Sequence, residues 1–117
     1  MATDFQNALK DTNEIEIAVT GRRSGREISL PVWFVTDHDK LYLMPVTGSD
    51  SQWFKNVRKA RTLRLSAKGK PFRTSVTPIT DAATVRTTVD KFRRKYGAAQ
   101  VETYYTEPDV AVEVPLT

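Results

Sequence analysis

The stretch TGRRSGREISLPVWF, residues Thr20–Phe34, runs from a glycine- and arginine-rich loop directly into an apolar strand. The two glycines permit positive φ angles, so the loop can curl and direct its backbone N–H groups inward. The guanidinium groups of Arg22, Arg23 and Arg26 offer forked donors that suit a phosphate or a carboxylate. A polar hairpin turn with solvated arginines explains the same residues, because glycine and serine dominate ordinary turns. The rest of the chain must decide between the two interpretations.

Length and composition indicate one small domain. The 117 residues are 39% hydrophobic and 27% charged, which suits a single packed core. The chain has no cysteine and only one histidine, His38, so disulfides, thiolate sites and multi-histidine metal sites are excluded within it. We therefore expect one domain over residues 1–117 that binds no metal. His38 lies in an Asp-His-Asp turn, where an exposed position is expected.

Two features bear on location and partners. No apolar run reaches the roughly 20 residues that span a bilayer, and Met1–Lys10 lacks the apolar core of a signal peptide. The expected compartment is the cytoplasm. Between Ser51 and Thr80 there are eight basic residues and no acidic one, within a net charge of +4. Such a segment attracts nucleic acid, an anionic membrane or a small anion, although simple solubility also accounts for it.

The strands are predicted from the alternation of apolar and polar residues. Pro31 cannot donate to a ladder, so its strand is expected at a sheet edge or with a bulge. Trp33 faces away from the predicted core side, where it would meet a ligand, a second subunit or an overlying helix. The six predicted strands are Glu14–Thr20, Ile28–Val35, Leu41–Val46, Thr62–Ala67, Lys70–Ile79 and one containing Val110, Val112 and Val114.

Helical spacing and capping signals predict the helices. Residues 1–13 form a short amphipathic or flexible segment with Phe5 and Leu9 on one side. A helix over Gln52–Ala60 follows a serine-rich loop, and its first turn presents free N–H groups that can bind an anion. A longer helix, capped by Asp81, ends at Tyr96, and a short turn follows over Gln100–Tyr105. Without βαβ alternation, the predicted fold is mainly β, a small antiparallel barrel of about six strands with two or three short helices.

The chain shows no catalytic machinery of its own. Paired carboxylates are absent from the candidate loops, and neither of the common glycine-rich nucleotide-binding motifs is present. If the protein is an enzyme, a bound cofactor is expected to carry the chemistry. Two Gly/Ser loops that could hold an anionic group, with Trp33 and Trp53 to flank a planar ring, fit a nucleotide-like cofactor.

Two motifs in this order carry a resemblance over about Ile15 to Val114. They are T-G-R-R-S-G-R at residues 20–26, followed by Pro31, and W-F-K-N-V at residues 53–57. The chain resembles the deazaflavin (F420)-dependent nitroreductase family, a branch of the split-barrel flavin and deazaflavin oxidoreductases. The resemblance implies a split β-barrel with a cofactor along its groove. It further implies cofactor contacts from Arg22, Arg23, Arg26, Trp33, Pro45, Val46, Thr47, Gly48, Trp53 and Asn56.

The resemblance leads to a functional expectation. Reduced coenzyme F420, or alternatively FMN, would pass a hydride to a small conjugated or nitroaromatic acceptor, and Tyr104 or Tyr105 would donate a proton. Ile28 and Thr47 stand where the family pattern favours basic residues, which is why FMN stays an alternative. A homodimer is expected, since split barrels commonly pair. A flavin-binding carrier or sensor without turnover, and an anionic-surface or nucleic-acid binder, are the two rival hypotheses.

Overall fold

The computed structural model describes residues 2–116, which form two four-stranded antiparallel sheets and four α-helices. The strands are β1 (Ile15–Thr20), β2 (Glu27–Val32), β3 (Val35–Asp37), β4 (Lys40–Leu43), β5 (Thr62–Ala67), β6 (Lys70–Ser75), β7 (Thr77–Ile79) and β8 (Ala111–Pro115). The helices are α1 (Ala2–Leu9), α2 (Gln52–Ala60), α3 (Ala82–Tyr96) and α4 (Ala98–Tyr104). A 3-10 turn covers Gly48–Asp50.

The main core lies between the two sheets. The first sheet has the order β2-β1-β5-β6 and the second β3-β4-β8-β7. Alternate residues of β1 and β5, such as Ile17 and Leu65, are fully buried, as the strand period requires. They pack in one cluster with Leu43 and Val112 of the second sheet. The two sheets therefore enclose a common apolar interior, and the predicted split barrel is confirmed.

A second, smaller core covers the outer face of the second sheet. Val89 and Phe92 of α3 pack there with Tyr105, which follows α4, and with Met44 and Ala111 of the sheet. Asp81 caps α3, because its carboxylate accepts a hydrogen bond of 2.9 Å from the Thr84 N–H. Helices α3 and α4 thus lie against one side of the barrel, next to the strand end that carries Trp33.

Two predicted strands are each divided between the sheets, which raises the strand count from six to eight. The predicted strand Ile28–Val35 breaks at Trp33 and Phe34 into β2 and β3. At the break, the Phe34 backbone N–H donates to the Tyr96 hydroxyl (3.1 Å) instead of to a strand partner. The predicted strand Lys70–Ile79 breaks at Val76 into β6 and β7. A strand that leaves one sheet for the other keeps its alternating pattern, so the break leaves no local signal.

Other elements agree with the predictions or differ slightly. Pro31 lies on β2, which is an edge strand, as expected. Ile28, near the start of this strand, is 46% exposed, because it lies on the sheet edge next to the Gly/Arg loop. The first segment is helical, and the side chains of Phe5 and Leu9, expected on one side of it, are buried. Helix α4 (Ala98–Tyr104) is longer than the turn predicted at this place, and it brings the helix count to four.

Candidate functional site

A cavity with a volume of about 440 Å³ opens between β2, the end of β4, the start of α2 and α4. Small-molecule sites typically measure about 300–1,000 Å³ and have mostly apolar walls. Four aromatic residues line this cavity, together with aliphatic side chains such as Met44. These aromatic residues are Trp33, Trp53, Tyr104 and Tyr105.

The wall formed by Trp33 is backed by a second aromatic ring. Its ring stacks on Tyr96 of α3, with the centroids 4.2 Å apart and the planes 9° from parallel. The Tyr96 hydroxyl lies 2.7 Å from the Asn13 carbonyl, to which it donates, while it accepts from the Phe34 N–H. Burial raises the pKa of Tyr96 to about 12, so the hydroxyl stays protonated and keeps these bonds. Trp33 therefore covers the second core under a helix and lines the cavity at the same time.

Two tyrosines near the end of α4 close the same side. Tyr105 is buried, and this burial raises the pKa of its hydroxyl well above the ordinary value. Tyr104 is 52% exposed, and its ring meets Trp33 edge-on at 5.4 Å. The N–H of Thr106 donates to the Val46 carbonyl (3.1 Å) and joins this segment to the loop after β4. Both predicted proton donors therefore lie at the cavity.

The loop after β4 is held in shape by the segment before β8. The Ser49 backbone N–H and hydroxyl both donate to the Asp109 carboxylate, at 2.9 and 2.7 Å. Gly48 has a φ of 62° and lies directly against Asp109 and the Glu107 carbonyl, which leaves no room for a side chain. Pro45 and Gly48 are buried on the side of the loop that faces away from the cavity wall, whereas the neighbouring Val46 and Thr47 line the cavity.

The start of α2 lies at the cavity, where Ser51 and Trp53 form part of the wall. Ser51 is the N-cap residue, is only 7% exposed and lines the cavity, yet its hydroxyl does not cap the helix. The first turn contains no acidic residue. Its backbone N–H groups and the Ser51 hydroxyl can therefore donate to an oxygen of a ligand, and the helix dipole favours negative charge there.

The glycine- and arginine-rich loop is fixed along α2. The side-chain oxygen of Asn56 accepts from the Arg22 backbone N–H (3.1 Å) and from its Nη1 (2.8 Å). The other Arg22 nitrogen, Nη2, donates to Gln52 (2.8 Å), directly beside Ser51. Arg23 and Arg26 are exposed, and neither takes part in an ion pair within residues 2–116. The loop therefore presents two accessible guanidinium groups next to the helix that leads to the cavity.

The sequence-predicted site residues thus fall into three groups. Those that line the cavity are Trp33, Val46, Thr47, Trp53, Tyr104 and Tyr105. Those that support it from behind are Arg22, Pro45, Gly48 and Asn56. Arg23 and Arg26 lie on the outer loop. The sequence reasoning missed Glu14 and Met44 as lining residues and Tyr96 as the support of Trp33, and no local pattern marks any of them.

The positive charge of the segment between Ser51 and Thr80 is partly balanced in the folded chain. Glu27 of β2 lies between Arg64 (2.8 Å) and Arg73 (3.2 Å), whose hydrogen bonds and charges lower its pKa. Two of the eight cations therefore share an acid from another part of the chain, which weakens the nucleic-acid hypothesis.

Residues 2–116 contain no group of three His, Cys, Asp or Glu side chains arranged to hold a metal ion. None of the helices described for residues 2–116 has the length and apolarity needed to cross a membrane.

Comparison with known proteins identifies a family and a fold. Residues 6–114 match the family described as "Uncharacterized protein conserved in bacteria (DUF2255)". No curated protein matches the sequence. A putative 5-nitroimidazole antibiotic resistance protein from Bacteroides thetaiotaomicron is similar in structure, with a TM-score of 0.71 and 16% identity, over 97% of this chain and 78% of that one.

Two further structures support the same fold. An F420-H2 dependent reductase (FDR-A) has a TM-score of 0.67 and 17% identity, over 87% of this chain and 93% of that one. The heme storage protein HutZ from Vibrio cholerae has a TM-score of 0.71 and 9% identity, over 97% of this chain and 87% of its own. At these identities the likenesses establish the split-barrel fold and nothing finer.

Proposed function

The chain belongs to the DUF2255 family, and we propose that it is an oxidoreductase that works with a bound deazaflavin or flavin. The preferred cofactor is reduced coenzyme F420, with FMN as the alternative, and the acceptor is a small conjugated or nitroaromatic molecule. One observation carries the proposal, namely an aromatic cavity beside a helix that also anchors an arginine-bearing loop. The similarity to an F420-H2 dependent reductase and to a nitroimidazole resistance protein supports it.

The residues present fit such a cofactor. A flat ring system needs a cavity with aromatic walls, and Trp33 and Trp53 supply two of them. A phosphate-bearing tail needs cations that are not already paired, and Arg23 and Arg26 meet that need on the neighbouring loop. When bound, the cofactor would supply the hydride chemistry, and the protein would bind and orient it.

The chain's own groups have limited roles in this scheme. The Ser51 hydroxyl and the first N–H groups of α2 would donate hydrogen bonds to a ring carbonyl or a phosphate oxygen. Tyr104, at the rim, is the better candidate for proton donation to the acceptor, because the raised pKa of Tyr105 makes that hydroxyl a weaker acid. The Tyr105 hydroxyl would instead donate a hydrogen bond while it keeps its proton.

Titration with F420 and with FMN tests the proposal. Both tryptophans of the chain line the cavity, so their fluorescence reports its occupation. Arg23→Ala should weaken cofactor binding by about 1–3 kcal/mol, as expected for a lost charge-assisted hydrogen bond. The matched control is Arg58→Ala, on the exposed far part of α2, which should leave the affinity unchanged. If neither cofactor binds the wild type, the proposal is wrong. Equal affinities of Arg23→Ala and wild type would disprove the role given to the loop.

A carrier or sensor that binds a flavin-type molecule without turnover is the second candidate. The described cavity wall contains no histidine and no lysine, so the protein contributes few groups that could transfer protons. A dye-acceptor assay with reduced cofactor separates the two candidates. Cofactor binding without any acceptor reduction, over a panel of nitroaromatic and quinone acceptors, would favour the carrier.

We also propose that the protein forms a homodimer. Val46 and Tyr104 are large apolar side chains at the cavity rim, and they are 50% and 52% exposed. A second copy that covers this rim would remove both from water and narrow the entrance. Light scattering coupled to size exclusion should give twice the chain mass of 13.2 kDa. A monomer at all concentrations used would refute this part of the proposal.

A further inference from the structure

Glu14 stands at the aromatic cavity without a basic partner. It immediately precedes β1, its side chain is exposed, and it lines the cavity together with Trp33 and Tyr104. None of the ion pairs within residues 2–116 includes Glu14. Its negative charge also contributes to the raised pKa of the Tyr96 hydroxyl, whose ring backs Trp33. The carboxylate is therefore close to the stacked aromatic wall.

The one charged side chain in the described cavity wall is therefore negative, while the start of α2 adds the partial positive charge of its backbone N–H groups. Among the described lining residues Glu14 is the one charged side chain, and the others are apolar, aromatic or hydroxyl-bearing. The basic side chains around the cavity line other surface depressions, and one of them, the Lys95 ammonium, donates to the Phe34 carbonyl (2.8 Å) and lies 5.1 Å from the centroid of the Tyr96 ring behind Trp33. Lys95 lines one such depression with Lys91 and Arg94, and Lys68 lies in a depression on the outer face that it shares with Glu14 and Glu16. The arginines proposed to hold a cofactor tail belong to the loop after β1, at the opposite end of that strand.

Aromatic faces and a carboxylate together select one kind of ligand. The π-face of tryptophan or tyrosine attracts a cation that lies over it. A nearby carboxylate adds attraction for the same ligand and repels an anion. We propose that the acceptor taken by this cavity is a planar organic cation, such as an N-alkylated heteroaromatic ring, which stacks beside Trp33 while Glu14 faces its charge. The role of this cation as the hydride acceptor rests on the proposed function, whereas the preference of the cavity for a cation does not.

The test compares two probes of nearly the same shape. N-methylisoquinolinium carries a permanent charge, and isoquinoline is uncharged when the pH is kept well above its own pKa. Titration of the cofactor-free protein, followed by tryptophan fluorescence, should show the methylated cation binding about five- to tenfold more tightly. The preference should shrink as salt is added, because exposed charges are screened.

Two substitutions locate the preference. Glu14→Gln keeps the size of the side chain and should weaken binding of the cation by about fivefold, with less than about twofold change for isoquinoline. The control Glu16→Gln removes the same charge two residues away, from a side chain outside the cavity wall, and should change neither affinity. Tyr104→Leu, at a half-exposed position, should weaken binding of the cation more than binding of isoquinoline, because it removes one aromatic face.

The outcomes separate this inference from the function proposed above. Equal affinities for the two probes, or a Glu14→Gln variant that still prefers the cation, would overturn the inference even if F420 or FMN binds. A cation preference that depends on Glu14, in a protein that binds neither cofactor, would support the inference and reject the cofactor. The absence of binding by either probe would overturn the inference as well.

Discussion

The hydrogen bonds of Asn56 give the sharpest test of how the arginine loop is held. This side chain is only 4% exposed, and its single oxygen accepts from both the backbone N–H and the guanidinium of Arg22. Asn56→Ala removes a neutral hydrogen bond worth about 1 kcal/mol and a charged one worth about 1.5–3 kcal/mol. Because the Arg22 side chain can still reach Gln52 and water, we expect a net loss of about 2–3 kcal/mol in the free energy of unfolding.

Thermal unfolding followed by circular dichroism measures this loss. The unfolding entropy of a chain of this length is about 0.25 kcal/mol/K, so the melting temperature should fall by about 8–12 °C. Gln52→Ala is the matched control, since it removes an exposed hydrogen bond to the same guanidinium and should cost no more than about 2 °C. If Asn56→Ala melted within about 2 °C of the wild type, the loop would not be fastened to α2 in solution.

Two further predictions concern the loop before α2. Gly48→Ala should cost more than about 2 kcal/mol in urea unfolding, because its φ of 62° is unfavourable for alanine and the new methyl group would collide with Asp109 and Glu107. Gly25→Ala, with φ 72° but open space, should cost only about 1 kcal/mol, and equal losses would exclude the collision. The Asp50 carboxylate raises the pKa of Glu107, so the folded chain binds this proton more tightly than the unfolded chain does. Glu107→Gln should therefore raise the melting temperature at neutral pH, and the gain should disappear as the pH falls below the ordinary range of a glutamate, about 4.3; a gain that is independent of pH would contradict the repulsion.

The sequence predicts those parts of the fold whose signals are local. Helix α2 (Gln52–Ala60) and strand β5 (Thr62–Ala67) have the predicted bounds, because a serine-rich start and strict alternation define them within a few residues. The breaks at Phe34 and Val76 escape such reasoning. Each lies where the chain turns to a partner distant in sequence, the Tyr96 hydroxyl at Phe34 and strand β8 after Val76. Both partners lie outside the window that a periodicity argument uses.

The candidate site likewise contains residues that the sequence reveals and residues that only the folded structure reveals. Trp33 and Trp53 could be selected from the sequence, because large aromatic residues next to flexible loops are conspicuous in any linear reading. Glu14 is one of 14 acidic residues, and nothing in its neighbourhood along the chain distinguishes it. Its place becomes clear only when β1 and β2 pair and bring Ile15 opposite Val32, which sets Glu14 next to the Trp33 wall. A direct contact of Asn56 with the cofactor stays a prediction. In the structure, its side-chain oxygen accepts hydrogen bonds from Arg22.

The geometry of β1 also sets the electrostatic character of the whole site. Glu14 precedes this strand and Arg22 follows it closely, and six residues of strand span about 20 Å. Charges at that separation are largely screened from each other at physiological ionic strength, where the Debye length is about 8 Å. The arginine loop can therefore hold an anionic group while the cavity accepts a cation, and neither charge cancels the other. By the same argument, the effects of Arg23→Ala and Glu14→Gln on their respective ligands should be independent, because sites this far apart without shared partners usually act additively.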